Sequence, residues 1–199
     1  IGDRALGDEP MKVAALGRAV LEGLSAGGCV GVVKHMPGHG RSMADSHKEL
    51  PVVDAPDEAL EIDIAPFRAL NDAPMGMMSH LLYPAWDAER PASISPTIIA
   101  GIVRDRIGFD GLLMTDDIGM EALSGTPADR ARAAIDAGCD LVLHCSGDLR
   151  EMESIASVLA PLGDRGAERL ARAMTGARHM AAGNFEALAG KRDALLALA

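Results

Sequence analysis

GFDGLLMTDDIGM, residues 108–120, sets an apolar run, Leu112 to Met114, directly against two carboxylates, Asp116 and Asp117. A short apolar run bounded by glycine and ending in charge reads as a strand buried on both faces, here over 111–115. Three more runs share the design: 29–35, closing on Lys34 and His35; 75–79, closing on Ser79 and leading to His80; and 139–143, leading to His144. Strands of this kind belong to parallel sheets, whose sites lie beyond the carboxyl ends of the strands. The polar residues at those four ends are therefore where chemistry is expected.

Helical stretches separate the runs. Over 10–26, Asp8 is placed to cap, Pro10 suits the first turn, and Val13, Leu16, Val20, Leu21 and Leu24 share one face. Residues 56–72 read as a helical region broken at Pro66. Over 95–107, Ser95 caps, Pro96 opens, Ile98, Ile99, Ile102, Val103 and Ile107 line one side, and Gly108 stops the helix. A helix over 127–137 and three further helical stretches from about 148 onward complete the pattern. Strands alternating with helices predict an α/β fold. Four such units amount to half of a (β/α)8 barrel, so residues 1–199 are expected to be the C-terminal portion of a single barrel domain plus terminal helices. Neither a Gly-rich dinucleotide fingerprint nor a phosphate-loop motif occurs.

Composition narrows the function classes. The chain has 199 residues, 48% apolar and 24% charged, with a net charge of −10, which argues against a nucleic-acid or anionic-membrane surface. No apolar stretch approaches a membrane span of about 20 residues. Cys29, Cys139 and Cys145 lack paired spacing and read as buried thiols in a reducing compartment.

Two loops carry the reactive side chains. In KHMPGHG, residues 34–40, His35 and His39 stand four apart, but Pro37 and Gly38 between them disfavour a helix, and Lys34 is a poor neighbour for a cation. A metal site is not expected, nor any other cofactor. After the strand come about eighteen residues without a regular pattern, longer than an idle connection. They contain Asp45-Ser46-His47, in which the carboxylate can orient the imidazole for proton transfer. Asp116 or Asp117 can serve as nucleophile, general base or ligand. The same triplet also reads as a simple turn, and either aspartate as a cap; spacing alone does not separate these. Taken together the groups suit a two-step displacement, with Asp116 attacking carbon and His47 moving the proton. His80 and His144 read as hydrogen-bonding support, His179 as solvated, and Met75, Met77 and Met78 as core.

The opening IGDRALG, then KHMPGHG, DSHKELPVVD, DIAPFRAL, PASISP and GFDGLLMTDDIGM follow one another in an order that resembles glycoside hydrolase family 3, in its bacterial β-N-acetylglucosaminidase branch. The resemblance covers residues 1 to about 145. It implies a (β/α)8 barrel that cleaves terminal β-linked N-acetylglucosamine with retention, through a covalent glycosyl-aspartate. It implies Asp116 as nucleophile, Asp45 and His47 as the acid/base pair, and Arg4, Lys34 and His35 as sugar-binding groups. The implied partner is a small N-acetylglucosamine-containing carbohydrate from the cell wall, met in the cytoplasm during peptidoglycan recycling. A phosphorylase of the same family and a silent sugar-binding protein are the alternatives. Met36 departs from the phenylalanine usual in the family's motif. The absent amino-terminal barrel half is the larger departure, since four strands alone leave open sheet edges.

Overall fold

The four apolar runs pair side by side, all parallel and in chain order: β1 (Val32–Met36), β2 (Met75–Met78), β3 (Leu112–Asp117) and β4 (Leu141–Leu143). The structure, a computed structural model, describes residues 2–44, 46, 48–178 and 185–198. Among these, β1 and β4 have no further strand partner, so the sheet is open. β1 begins later than expected. Gly28, at φ +77°, turns the chain out of the preceding helix, and the Cys29 N–H still bonds back to Leu24 O at 2.8 Å. β3 runs two residues further than expected and carries both aspartates with it.

The first helix, α1 (Pro10–Ala26), has the expected bounds, but its cap is Glu9 rather than Asp8. The Glu9 carboxylate accepts from the backbone N–H of Met11 at 3.1 Å and Lys12 at 2.5 Å. Its expected apolar face is only partly covered: Leu16, Val20 and Leu24 stay exposed, while Ala14 is buried and Leu21 meets the core. The second helix, α2 (Asp57–Ala69), runs through Pro66 without the expected break. An interior proline costs about 3 kcal/mol. Leu60 and Ile64, both fully buried, return about 1.5–3 kcal/mol each.

The helix expected over 95–107 is also modified. A short 3-10 turn, Ala92–Ile94, precedes it, and Ile98–Arg106 winds as a π-helix, with the Ile107 N–H reaching back five residues to Ile102 O at 2.9 Å. Ser95 does act at its start, accepting from the Ile98 N–H at 3.1 Å. Then α3 (Pro127–Ala137) matches expectation, held by a reciprocal Thr126–Asp129 cap and ended by Gly138 at φ +114°. Three helices follow, α4 (Leu149–Val158), α5 (Asp164–Met174) and α6 (Phe185–Leu196). His179 lies outside the described residues.

The main core lies between the sheet and the helices, around Met36, Met78, Tyr83, Phe109 and Leu113. Gly76 permits this packing: a Cβ there would sit 2.9 Å from Phe109 and 3.2 Å from the Met36 methyl. The flexible thioether of Met36 is fully buried at this spot. Met75, Met77 and Met78 are buried as expected. Of the cysteines only Cys139 is buried, with its thiol pushed up to about 12 by burial; Cys29 and Cys145 are exposed, contrary to expectation. No helix among the described residues is long and apolar enough to cross a membrane.

Candidate active site

At the carboxyl ends of the strands the ladder is broken twice, once on each side of the regular β2–β3 pair. The β1–β2 register slips between Lys34 and Met36, and the β3–β4 register slips between Met114 and Asp117. Such irregularities re-aim side chains. Here they bring His35 and Asp116 together, with His35 Nε2 3.3 Å from Asp116 Oδ2. His35 is 7% exposed and Asp116 21%.

Burial pushes His35 down to about 4, against the pull of Asp116 and with the help of Lys34, His39 and Arg4. The ring is therefore neutral near pH 7, and Nε2, facing a carboxylate, carries the proton and donates it. Its Nδ1 is buried without a partner among the described residues. His39 stands edge-on to His35, with ring centroids 5.3 Å apart, and is also pushed down, first by burial. Arg4, in an exposed 3-10 turn (Gly2–Arg4), acts on both imidazoles through its charge, and Lys34 is exposed in the middle of β1. The structure thus groups Lys34, His35 and Asp116, with the Arg4 charge in range. Asp45 and His47 lie outside the described residues.

The two aspartates diverge, as adjacent residues on an extended backbone must. Asp116 Oδ1 accepts from the Asp117 N–H at 2.9 Å. Asp117 turns instead toward β4, its Oδ1 accepting from the N–H of Gly119 at 2.9 Å and of Cys145 at 3.1 Å. Thr115 Oγ1 takes the Leu143 N–H at 3.0 Å, replacing a ladder bond at the bulge. His80 and His144 support this edge as expected. His80 contacts the Asp117 carbonyl, and His144 Nε2 lies 2.9 Å from Glu151 Oε2 and 2.8 Å from Ser146 Oγ.

Sequence reasoning treated His39 only as a possible metal ligand and overlooked Tyr83. The Tyr83 hydroxyl donates to Gly38 O, and Arg41 Nε meets Asp63 Oδ2 at 2.6 Å, so the loop is tied down where it leaves β1. A tyrosine in an otherwise aromatic-poor chain was the only signal available. Among the described residues no cluster of three or more His, Cys, Asp or Glu side chains is placed to hold a metal. Two surface cavities, of about 300 and 460 Å³, border residues such as Arg18 and Asp72, or Leu159 and Leu162. Neither touches His35 or Asp116, so strand-end topology rather than concavity locates this site.

Known proteins place these features in context. Residues 1–178 match the family described as Glycosyl hydrolase family 3 N terminal domain. A beta-hexosaminidase from Chromobacterium violaceum is 42% identical over 177 residues, covering 86% of this chain and 49% of its own length. Among solved structures, NagZ from Neisseria gonorrhoeae in complex with N-trifluoroacetyl-D-glucosamine superposes with a TM-score of 0.76 at 35% identity, over 87% of this chain and 50% of that one. A family 3 beta-N-acetylglucosaminidase from Paenibacillus sp. gives a TM-score of 0.77 at 29% identity, over 92% and 38%. The chain spans about half the length of the curated relatives it matches. With residues 1–178 of its 199 matching the family, the chain belongs to glycosyl hydrolase family 3, by way of that family's N terminal domain.

Proposed function

We propose that the chain supplies the catalytic face of a retaining β-N-acetylglucosaminidase built on a (β/α)8 barrel, of which these four strands and the terminal helices are one half. The observation that carries the reading is the His35–Asp116 contact at the carboxyl edge of the sheet. A neutral imidazole donor orients the carboxylate without surrendering a positive charge to it, which leaves Asp116 Oδ lone pairs able to attack carbon. In the first step Asp116 Oδ bonds to the anomeric carbon as the glycosidic C–O bond breaks, and the departing oxygen takes a proton from His47. In the second step His47 takes a proton from water, the water oxygen bonds to the anomeric carbon, and Asp116 leaves as carboxylate. Asp45 would hold the His47 tautomer. Arg4, Lys34 and His35 would contact sugar hydroxyls.

The substrate class rests on relatives named as beta-hexosaminidases and on a NagZ neighbour holding an N-acylated glucosamine. A cytoplasmic role in recycling peptidoglycan fragments is part of the proposal, in keeping with three unpaired thiols. The test is nitrophenol release from 4-nitrophenyl N-acetyl-β-D-glucosaminide by the parent and by Asp116→Ala, with and without phosphate. Release by the parent alone, independent of phosphate, is expected. Equal release by the variant would remove Asp116 as nucleophile, and release only with phosphate would make the enzyme a phosphorylase.

A further inference from the structure

The backbone beside Asp116 is held by the sheet on one side only, where Asp117 pairs with Leu143 and the Ile118 N–H reaches Leu143 O at 2.9 Å. The β2–β3 ladder stops at the Met78–Thr115 pair, two residues short of Asp117, and the β3–β4 register slips over the same stretch. A side chain continues the ladder instead. His80, two residues past β2 and 1% exposed, sets Nε2 3.0 Å from the Asp117 carbonyl oxygen and Nδ1 2.7 Å from Ser93 Oγ. Ser93 is itself fully buried.

The direction of these bonds follows from valence. A carbonyl oxygen only accepts, so Nε2 carries the proton. Burial pushes the imidazole down, the ring is neutral, and Nδ1 is bare. The Ser93 hydroxyl therefore donates to Nδ1, and this fixes the tautomer that gives Nε2–H to Asp117. Asp117 is held on three sides: its carbonyl by His80 and by the Met120 N–H at 3.1 Å, its carboxylate by the N–H groups of Gly119 and Cys145, and its own N–H by Asp116 Oδ1. Rotating the Asp117 peptides would carry off the N–H that holds the Asp116 carboxylate.

We propose that His80, oriented by Ser93, is a positioning residue for the Asp116 carboxylate, acting through the backbone of Asp117 at the β3 bulge. This role rests on the reading of Asp116 as nucleophile. A histidine that merely fills the core would affect melting and leave turnover per folded molecule unchanged. A positioning histidine affects kcat at constant KM, because ground-state sugar contacts lie elsewhere and only the line of attack is disturbed.

Three substitutions separate these roles. His80→Gln keeps an amide N–H near the Nε2 position, His80→Asn places its amide near Nδ1 and cannot reach Asp117, and His80→Leu keeps bulk alone. Kinetics on 4-nitrophenyl N-acetyl-β-D-glucosaminide are measured below each variant's melting transition, beside Asp116→Asn. Asn and Leu are expected to lower kcat by about 10- to 100-fold with KM within about 2-fold, and Gln to recover most of the loss. Should the Leu variant fail to fold, the Gln–Asn pair decides alone. Equal kcat for Gln, Asn and parent, with Asp116→Asn inactive, would overturn the positioning role and leave the nucleophile standing. An active Asp116→Asn would remove the nucleophile, and this role with it. A proton–nitrogen correlation spectrum of histidine-labelled parent should show His80 as the neutral Nε2–H tautomer; a protonated Nδ1 would overturn the geometry whatever the activity.

Discussion

The two ends of the same four strands carry opposite electrostatics. Just before β3 and β4, at the amino ends, stand Asp110 and Asp140, and four arginines converge on them. Arg169 bridges both, at 2.7 Å to Asp110 and 3.0 Å to Asp140, Arg104 adds a 3.0 Å contact to Asp140, and Arg165 and Arg172 close on Asp110. Asp110 is held down at about 2, chiefly by its hydrogen bonds from Arg169. At the carboxyl ends Asp116 meets a neutral imidazole at 3.3 Å, and no arginine or lysine pairs with it among the described residues. Saturated pairing fixes a charge and spends its lone pairs, whereas a neutral donor leaves a carboxylate able to react. The amino end fastens α5 to the sheet; the carboxyl end is the one proposed above to carry the chemistry.

The comparison breaks most readily at Asp116. Asp116→Asn should lower kcat/KM by about 10⁴-fold or more. Asp117→Asn should cost far less, since an amide oxygen can still accept from Gly119 and Cys145. Steady-state kinetics on the same glycoside decide it, and equal losses would contradict the division of labour between the two.

At the other end Arg169→Met should leave turnover per folded molecule intact and lower stability. The expected loss is about 3 kcal/mol, the low end for breaking a buried pair, because the Asp140 side chain is 9% exposed but that of Asp110 is 57% exposed. Urea unfolding measures it. A smaller stability change, about 1–2 kcal/mol, is expected from Tyr83→Phe, which leaves the buried Gly38 carbonyl without its donor.

Acid separates the ends more gently. His35, His39 and His80 are all pushed down by burial, His35 from 6.5 to about 4. Between those values the unfolded chain takes up protons that the folded chain refuses, so stability falls as pH drops through that window. Asp110, at about 2 instead of 3.8, has the same sign lower down: its contribution is complete above 3.8 and lost toward about 2. Thermal melts across both windows should show Asp110→Asn reducing the slope only in the lower one and His35→Gln only in the upper, where His39 and His80 keep part of it.

Much of this architecture was legible where the determinants are local. Thr126, Pro127 and Gly138 supply cap, first turn and stop within one stretch, and α3 has the bounds they predict. The strands at 75 and 112 announce themselves as short apolar runs between breakers. Pro66 misled because a local penalty was outweighed by the distant burial of Leu60 and Ile64. Leu16, Val20 and Leu24 misled in the opposite way: periodicity reports an apolar face but not what covers it. In the site, residue types and strand ends pointed to Lys34, His35 and Asp116, whereas the two register slips that join His35 to Asp116 depend on pairing between strands remote in sequence. The link from His80 to Asp117 escaped for the same reason, spanning 37 residues.

The central claim, that Asp116 is the atom-bearing nucleophile at this edge, is tested most directly by trapping. A ring-fluorinated N-acetylglucosaminyl fluoride, whose leaving group speeds the first step while the ring fluorine slows the second, should add one glycosyl mass to the protein. Peptide mapping should place that mass on Asp116. An adduct on Asp117 or elsewhere, or catalytic hydrolysis of the fluoride with no adduct at any time point, would contradict the account.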